Sequence, residues 1–258
     1  MLKNKKGVIF GIANDHSIAW GIAKKLAENG AELAITYQNE NLLKRVKPLA
    51  EKIDNNFLIE CDFSKNESIK NCFKEIKKKF HGIDFVIHAA AFSDKNELNG
   101  KYLETSKDNF ISTLNISCFS FTEISKYASE IMNDGGSLLT LSFYGSNKVI
   151  PNYNVMGIAK AALETSVKYL SVDLGNQSIR VNAISAGPMR TLAGAAIANA
   201  REVYNYTSAN SALKRNVELD EIGNTALYLV SDLSNAVTGE IHYVDCGFNI
   251  IGMPKSQN

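Results

Sequence analysis

Short apolar runs alternate with longer amphipathic stretches along the whole chain, and this alternation narrows the fold more than any other feature. Strands read at residues 7–12, 31–37, 57–60, 83–88, 137–142, 180–185 and 240–244. Helical patterns read between them at 17–28, 39–52, 67–80, 105–132, 152–175 and 220–232. Runs such as Val8-Ile9-Phe10 and Leu138-Leu139 lack the in–out alternation of a half-exposed strand, so they are covered on both faces. Strands separated by helices are joined by parallel crossovers. The pattern predicts an α/β chain: a single doubly wound domain, with a seven-stranded parallel sheet flanked by helices. No linker or repeat divides residues 1–258, which read as one domain.

Composition closes off other classes. With 45% apolar and 21% charged residues the chain can fill a core and carries no disorder signature. Lys plus Arg number 28 against 27 Asp plus Glu, which argues against a nucleic-acid or membrane-surface protein. Cys61, Cys72, Cys118 and Cys246 are scattered without a C-x-x-C pair or a neighbouring His cluster, so no metal site is expected and a reducing, cytoplasmic compartment is. The apolar run after the basic start ends at Gly11, too soon for a signal sequence or a membrane-inserted span. His16, His81, His88 and His242 form no motif and are given no chemistry.

The first strand is followed by Gly11-Ile12-Ala13-Asn14-Asp15-His16-Ser17-Ile18-Ala19-Trp20-Gly21. A turn of small residues between strand and helix lets backbone N–H groups and the helix N-terminus face a pyrophosphate, as in Rossmann-type dinucleotide-binding domains. It is not a literal G-x-G-x-x-G, and an ordinary loop with Ser17 as N-cap is the competing reading. The second strand ends at Tyr37-Gln38-Asn39-Glu40 with no Arg or Lys before Lys44, which favours NADH over NADPH. Asp62, after the third strand, is a candidate acceptor for an adenine amino group, or else a turn residue.

The chemical residues fall after the fifth strand, in Pro151-Asn152-Tyr153-Asn154-Val155-Met156-Gly157-Ile158-Ala159-Lys160-Ala161-Ala162. Ligands sit at strand C-termini in open α/β sheets, so the segment is at the right end. Short-chain dehydrogenases place Tyr four residues before such a Lys, but position 156 is Met. Tyr153 stands seven residues ahead of Lys160, two helical turns instead of one. Tyr144 and Lys148 have the four-residue spacing but lie in a turn-like stretch. Moving the phenol by a turn suits enoyl thioester reduction, where hydride arrives at C3 while negative charge grows on the C1 oxygen. Two other readings remain: a carbonyl reductase, disfavoured by Met156, and a non-enzymatic nucleotide sensor, which would have no reason to keep both Tyr153 and Lys160.

Over about residues 6–251 the chain resembles the bacterial NADH-dependent enoyl-acyl-carrier-protein reductases, a divergent branch of the short-chain dehydrogenase/reductases. The likeness rests on Ser17-Ile18-Ala19-Trp20-Gly21, Thr36-Tyr37-Gln38, Asn152 to Gly157, Arg180 to Pro188 and Thr191-Leu192-Ala193. The resemblance implies reduction of the C2=C3 double bond of trans-2-enoyl thioesters on acyl-carrier protein, with NADH, in type II fatty acid synthesis. It implies that Tyr153 stabilises the enolate and Lys160 holds the nicotinamide ribose. Gly11, Ser17, Ile18, Gln38, Asp62, Phe63, Ala89, Ala91, Pro188, Met189 and Thr191 would surround the rest of the cofactor. Phe92, Phe143, Met156, Ala193, Ala196, Ile197 and Ala200 would line the substrate. Residues 191–210 would form a substrate lid, for which a plain surface helix is the alternative, and the family's usual assembly is a homotetramer. Three positions depart from the family: Phe143 for a Tyr, Ala89-Ala90-Ala91 for a segment with Gly or Ser, and Cys246 for a glycine.

Overall fold

The computed structural model describes residues 1–253 except positions 56, 66, 133 and 196–198. Seven strands form one sheet: β1 (Lys6–Phe10), β2 (Glu32–Tyr37), β3 (Leu58–Glu60), β4 (Phe85–His88), β5 (Gly136–Ser142), β6 (Ile179–Ala186) and β7 (Ile241–Val244). Their order is β3-β2-β1-β4-β5-β6-β7 and every neighbouring pair is parallel. The order reverses beside β1, so the connections leaving β1 and β4 run to opposite faces of the sheet and open a crevice at the strands' carboxyl ends, where such folds bind ligands. The seven-stranded, doubly wound expectation matches this architecture.

The helices are α1 (Ile18–Glu28), α2 (Glu40–Glu51), α3 (Ser68–Phe80), α4 (Lys107–Leu114), α5 (Ser120–Ser129), α6 (Asn154–Leu174), α7 (Leu192–Ala195), α8 (Ala200–Asn210) and α9 (Leu219–Val230). Side chains alternate across the sheet and fill two cores. Val8, Phe10, Val86 and Leu138 pack with α3, α5 and α6, whereas Ile9, Ile35, Ile87 and Leu139 pack with α1, α2 and α9. Both layers are apolar because each strand is sandwiched, and each fully buried Phe or Ile contributes about 1.5–3 kcal/mol.

Three differences from the sequence reading bear on the site. The helix expected over 105–132 is interrupted by a π-helical turn at Asn115–Phe119. Such a turn inserts one extra residue and rotates the helical turns beyond it. Here Ser117 Oγ thereby reaches the Phe92 backbone, accepting from its N–H at 2.9 Å and donating to its carbonyl at 3.1 Å. The helix expected from 152 starts at Asn154, with Tyr153 at its N-cap between two asparagines at positive φ (Asn152 61°, Asn154 38°). The first strand stops at Phe10, because Gly11 turns the chain out of the sheet at φ 103°. Among the described residues no helix is long and apolar enough to cross a membrane, and no three His, Cys, Asp or Glu side chains gather as a metal site.

Candidate active site

The nucleotide end is built on Gly11. A Cβ there would lie 2.4 Å from the Ala89 carbonyl oxygen, so β1 and β4 approach so closely at their ends that no larger residue fits. Gly11 itself is exposed, at the carboxyl end of β1 beside β4. Ser17 is the N-cap of α1 by position, but its side chain does not bond the helix. Its hydroxyl instead accepts from the Ala13 and Asn14 amides, both at 3.0 Å, and fixes the loop that leads into Ile18. The N-cap alternative is thus corrected: the hydroxyl organises the turn and leaves the first N–H groups of α1 without a side-chain cap.

Gln38 and Asp62 meet at the ends of β2 and β3, with Gln38 Nε2 donating to Asp62 Oδ1 at 3.2 Å. The same oxygen accepts from the Ser64 amide and hydroxyl, the turn role weighed for Asp62. Burial pushes the Asp62 carboxyl up, but the Ser64 and Gln38 donors outweigh it and hold the group below its ordinary value. Phe63 lies 6.0 Å from the His88 ring in a stacked arrangement. Ala89 continues β4, Ala91 and Phe92 are exposed, and the Phe92 backbone is clamped by Ser117. Past β6, Met189 packs against the core, and its carbonyl accepts from the Thr191 amide at 2.9 Å. Thr191 Oγ1 in turn accepts from the Gly194 amide at the start of α7, while Pro188 is half-buried.

At the chemical end, Tyr153 is 6% exposed and its ring stands edge-on to Phe143 with centroids 5.0 Å apart. Met156 and Leu98 close the same apolar cluster. Phe143 is therefore the aromatic wall expected of it. Burial, reinforced by the charge of Glu164, holds the Tyr153 phenol well above its ordinary value, so it remains an O–H donor. Lys160 is also 6% exposed, and its Nζ donates to the Leu141 carbonyl at 2.7 Å. Burial pushes it down to about 8, against the raising influence of Cys118 and Glu164. Tyr144 and Lys148 are not brought together as a pair: Tyr144 packs on Phe248 and Lys148 is exposed.

Of the acyl-side residues, Ala200 begins α8 and Leu192 begins α7. Ala196 and Ile197 lie outside the described residues, as does the side chain of Ala193. α8 is tied to the end of β6 by Arg190, whose guanidinium sits 4.8 Å from the Tyr204 ring centroid. Cys246 has φ 57°, the left-handed region that explains why a glycine suits this position.

Two residues of the site were not singled out in the sequence. His88 is fully buried in β4; its Nδ1 lies 2.8 Å from Thr140 Oγ1 and its Nε2 2.9 Å from Ser120 Oγ. Ser120 spends its own proton on the Ile116 carbonyl, so Nε2–H is the donor of that pair. Burial, then the nearby Lys160 charge, pushes His88 down to about 3 and keeps it neutral. Glu164 is 8% exposed and accepts from Ser142, Ser146 and Asn147. The signal available for it was its place four residues after Lys160, on the same helical face.

A dinucleotide fits these residues. The Gly11 turn admits no side chain, and the uncapped N-terminus of α1 points N–H groups toward an anion. One Lys160 donor is used by Leu141, and among the described residues no other acceptor takes the remaining two.

The comparisons agree with this geometry. A family model described as enoyl-(acyl carrier protein) reductase matches residues 11–249. The enoyl-acyl-carrier-protein reductase (NADH) 2 of Rhizobium meliloti is 58% identical over 98% of this chain and 95% of its own. The crystal structure of FabI from Candidatus Liberibacter asiaticus superposes with a TM-score of 0.97 at 57% identity, covering 98% of both chains. The Anaplasma phagocytophilum enoyl-(acyl-carrier-protein) reductase, solved in complex with NAD, gives 0.95 at 54% identity over 98% of this chain and 97% of that one. Full-length identity of this order, on a fold that keeps the displaced Tyr153 and Lys160, places the chain in the enoyl-(acyl carrier protein) reductase family.

Proposed function

We propose that the chain reduces the C2=C3 double bond of trans-2-enoyl thioesters, presented by acyl-carrier protein, with NADH, as a step of type II fatty acid synthesis in the cytoplasm. The observation that carries the reading is Tyr153: a buried phenol kept protonated, one helical turn ahead of the position where Met156 replaces the carbonyl reductases' tyrosine. NADH, when bound, supplies hydride to the C3 carbon of the substrate.

The chain's own residues do the rest. The Gly11 turn, Ser17 and Ile18 present backbone N–H groups to the pyrophosphate, and Gln38, Asp62 and Phe63 surround the adenosine. The Lys160 ammonium holds the ribose and keeps positive charge near the reacting carbonyl. Ala89, Ala91, Pro188, Met189 and Thr191 flank the nicotinamide and pyrophosphate. Tyr153 donates its O–H to the thioester oxygen as the enolate forms, Phe143 and Met156 exclude water from it, and Phe92 lines the substrate at the rim. Leu192 and Ala200, at the starts of α7 and α8, contribute to the wall along the acyl chain.

A homotetramer accounts for the surface. Ile111, Phe119, Ile158, Tyr169 and Val172 are exposed on the helical layer around α4 and α6, and β7 is an unpaired sheet edge.

Purified protein should oxidise NADH with a crotonyl thioester and not with an acetoacetyl thioester, followed by the loss of reduced-nicotinamide absorbance. Turnover of acetoacetyl alone would make it a carbonyl reductase. Binding of NADH without turnover of either would make it a sensor.

A further inference from the structure

The proposed reaction uses Tyr153 and Lys160, but between the elements that hold them lies a buried acid with no role yet. We propose that Glu164 is a positioning residue for this site: its carboxylate ties the end of β5 and the turn after it to α6, and supplies the fixed negative charge that balances the Lys160 ammonium.

The geometry has two parts. First, a carboxylate is costly to bury unless donors surround it, and Glu164 has three. Ser142 Oγ and Ser146 Oγ donate to Oε1 at 2.5 and 2.6 Å, and Asn147 Nδ2 donates to Oε2 at 3.2 Å. Asn147 also donates to Tyr243 Oη at 3.0 Å, carrying the network to β7. Ser142 ends β5, while Ser146 and Asn147 come from the segment between β5 and α6, whose 3-10 turn spans Tyr144–Ser146. That turn lies on the catalytic ring: a Cβ on Gly145 would be 2.5 Å from Tyr153 Cδ1. The carboxylate therefore fixes the wall against which Tyr153 is seated.

Second, Glu164 follows Lys160 by one helical turn. The titratable groups around Lys160 are Cys118 from the π-helical turn, His88 from β4, Tyr153 from the start of α6, and Glu164. Burial raises the Cys118 thiol and the Tyr153 phenol and lowers the His88 imidazole, so all three are neutral. Cys118 and then Glu164 are the groups that raise Lys160 against its burial, and with the thiol protonated the Glu164 carboxylate is the charge that remains. Removing its charge makes the buried ammonium harder to keep, so Lys160 would lose its proton at lower pH.

The inference rests on NADH binding to this site, and its test reads binding, not turnover. NADH Kd is measured by fluorescence titration from pH 6 to 10 for the wild-type protein, Glu164→Gln, Glu164→Asp and Ser146→Ala, with thermal melts alongside. Wild-type affinity should fall as pH passes about 8, where Lys160 deprotonates. In Glu164→Gln the midpoint should move down by about one pH unit, weakening binding roughly fivefold at pH 8 and less than about twofold at pH 6. Glu164→Asp and Ser146→Ala keep the charge and should keep the wild-type midpoint. An unmoved midpoint in Glu164→Gln, a loss equal at every pH, or an equal shift in Ser146→Ala overturns the proposal. If Glu164→Gln does not fold, Glu164→Ala is titrated in its place, with the same downward shift of the midpoint expected and an unmoved midpoint overturning the proposal. A wild-type protein that binds no NADH at any pH takes the functional reading down with it, whereas binding with an unmoved midpoint removes Glu164 alone.

Discussion

Tyr153→Phe is expected to lower kcat for crotonyl thioester reduction by about 10²-fold or more, with the NADH Kd changed less than about twofold. The substitution removes one oxygen and keeps the ring. The edge-on contact with Phe143 and the close seat against Gly145 both involve ring carbons, so packing survives. What is lost is the O–H that burial keeps protonated, the group proposed to donate to the developing enolate oxygen. A loss of about 10²-fold corresponds to ~2.7 kcal/mol of transition-state stabilisation, within the range of a single oxyanion donor. Lys160→Ala differs in kind. It removes the ammonium proposed to hold the ribose together with its positive field, so NADH affinity and kcat should fall together. Steady-state kinetics with parallel NADH titrations separates the two, and unchanged turnover in Tyr153→Phe would remove the phenol from the mechanism.

Gly11→Ala is expected to abolish measurable NADH binding and to cost at least about 2 kcal/mol of stability, from backbone strain and a forced clash. At φ 103° an L side chain is strained in itself. The added Cβ would also sit 2.4 Å from the Ala89 carbonyl oxygen and 2.6 Å from its carbon, both backbone atoms that cannot rotate away. Ala89 is held in turn by the hydrogen bond its N–H donates to the Phe10 carbonyl at 3.1 Å, so relief requires spreading β1 from β4. The ends of those two strands form the nucleotide cleft, which is why stability and binding should be lost together. Urea denaturation and NADH titration measure the two effects. A variant that binds NADH like the wild type would show that the turn is not part of the cofactor site.

Much of this was legible in the chain because burial leaves a periodic trace. The two-sided strands β1, β4 and β5 carry apolar runs (Val8-Ile9-Phe10, Phe85-Val86-Ile87, Leu138-Leu139), and the helices between them carry one apolar stripe each. The Tyr153–Lys160 spacing was visible because both residues belong to one continuous segment. The Gly11 turn was visible as a small-residue link between strand and helix. What escaped depends on groups brought together from distant parts of the chain. The π-helical turn at Asn115–Phe119 has no periodic signature of its own; it becomes meaningful when Ser117 meets Phe92. His88 looked like a stray histidine until Thr140 and Ser120 closed on its two nitrogens. Glu164 carries no motif of its own; Ser142, Ser146 and Asn147 give it a role by surrounding it. Ser17 had the right residue type and place for an N-cap, yet the neighbouring Ala13 and Asn14 amides took its hydroxyl.

The most direct test is a crystal structure of the protein with oxidised cofactor and a trans-2-enoyl thioester bound together. The Tyr153 hydroxyl should lie about 2.6–3.2 Å from the thioester carbonyl oxygen, with C3 facing the nicotinamide ring. A hydroxyl turned away from that oxygen, or a substrate held with its carbonyl carbon at the ring instead of C3, would contradict the role given to Tyr153.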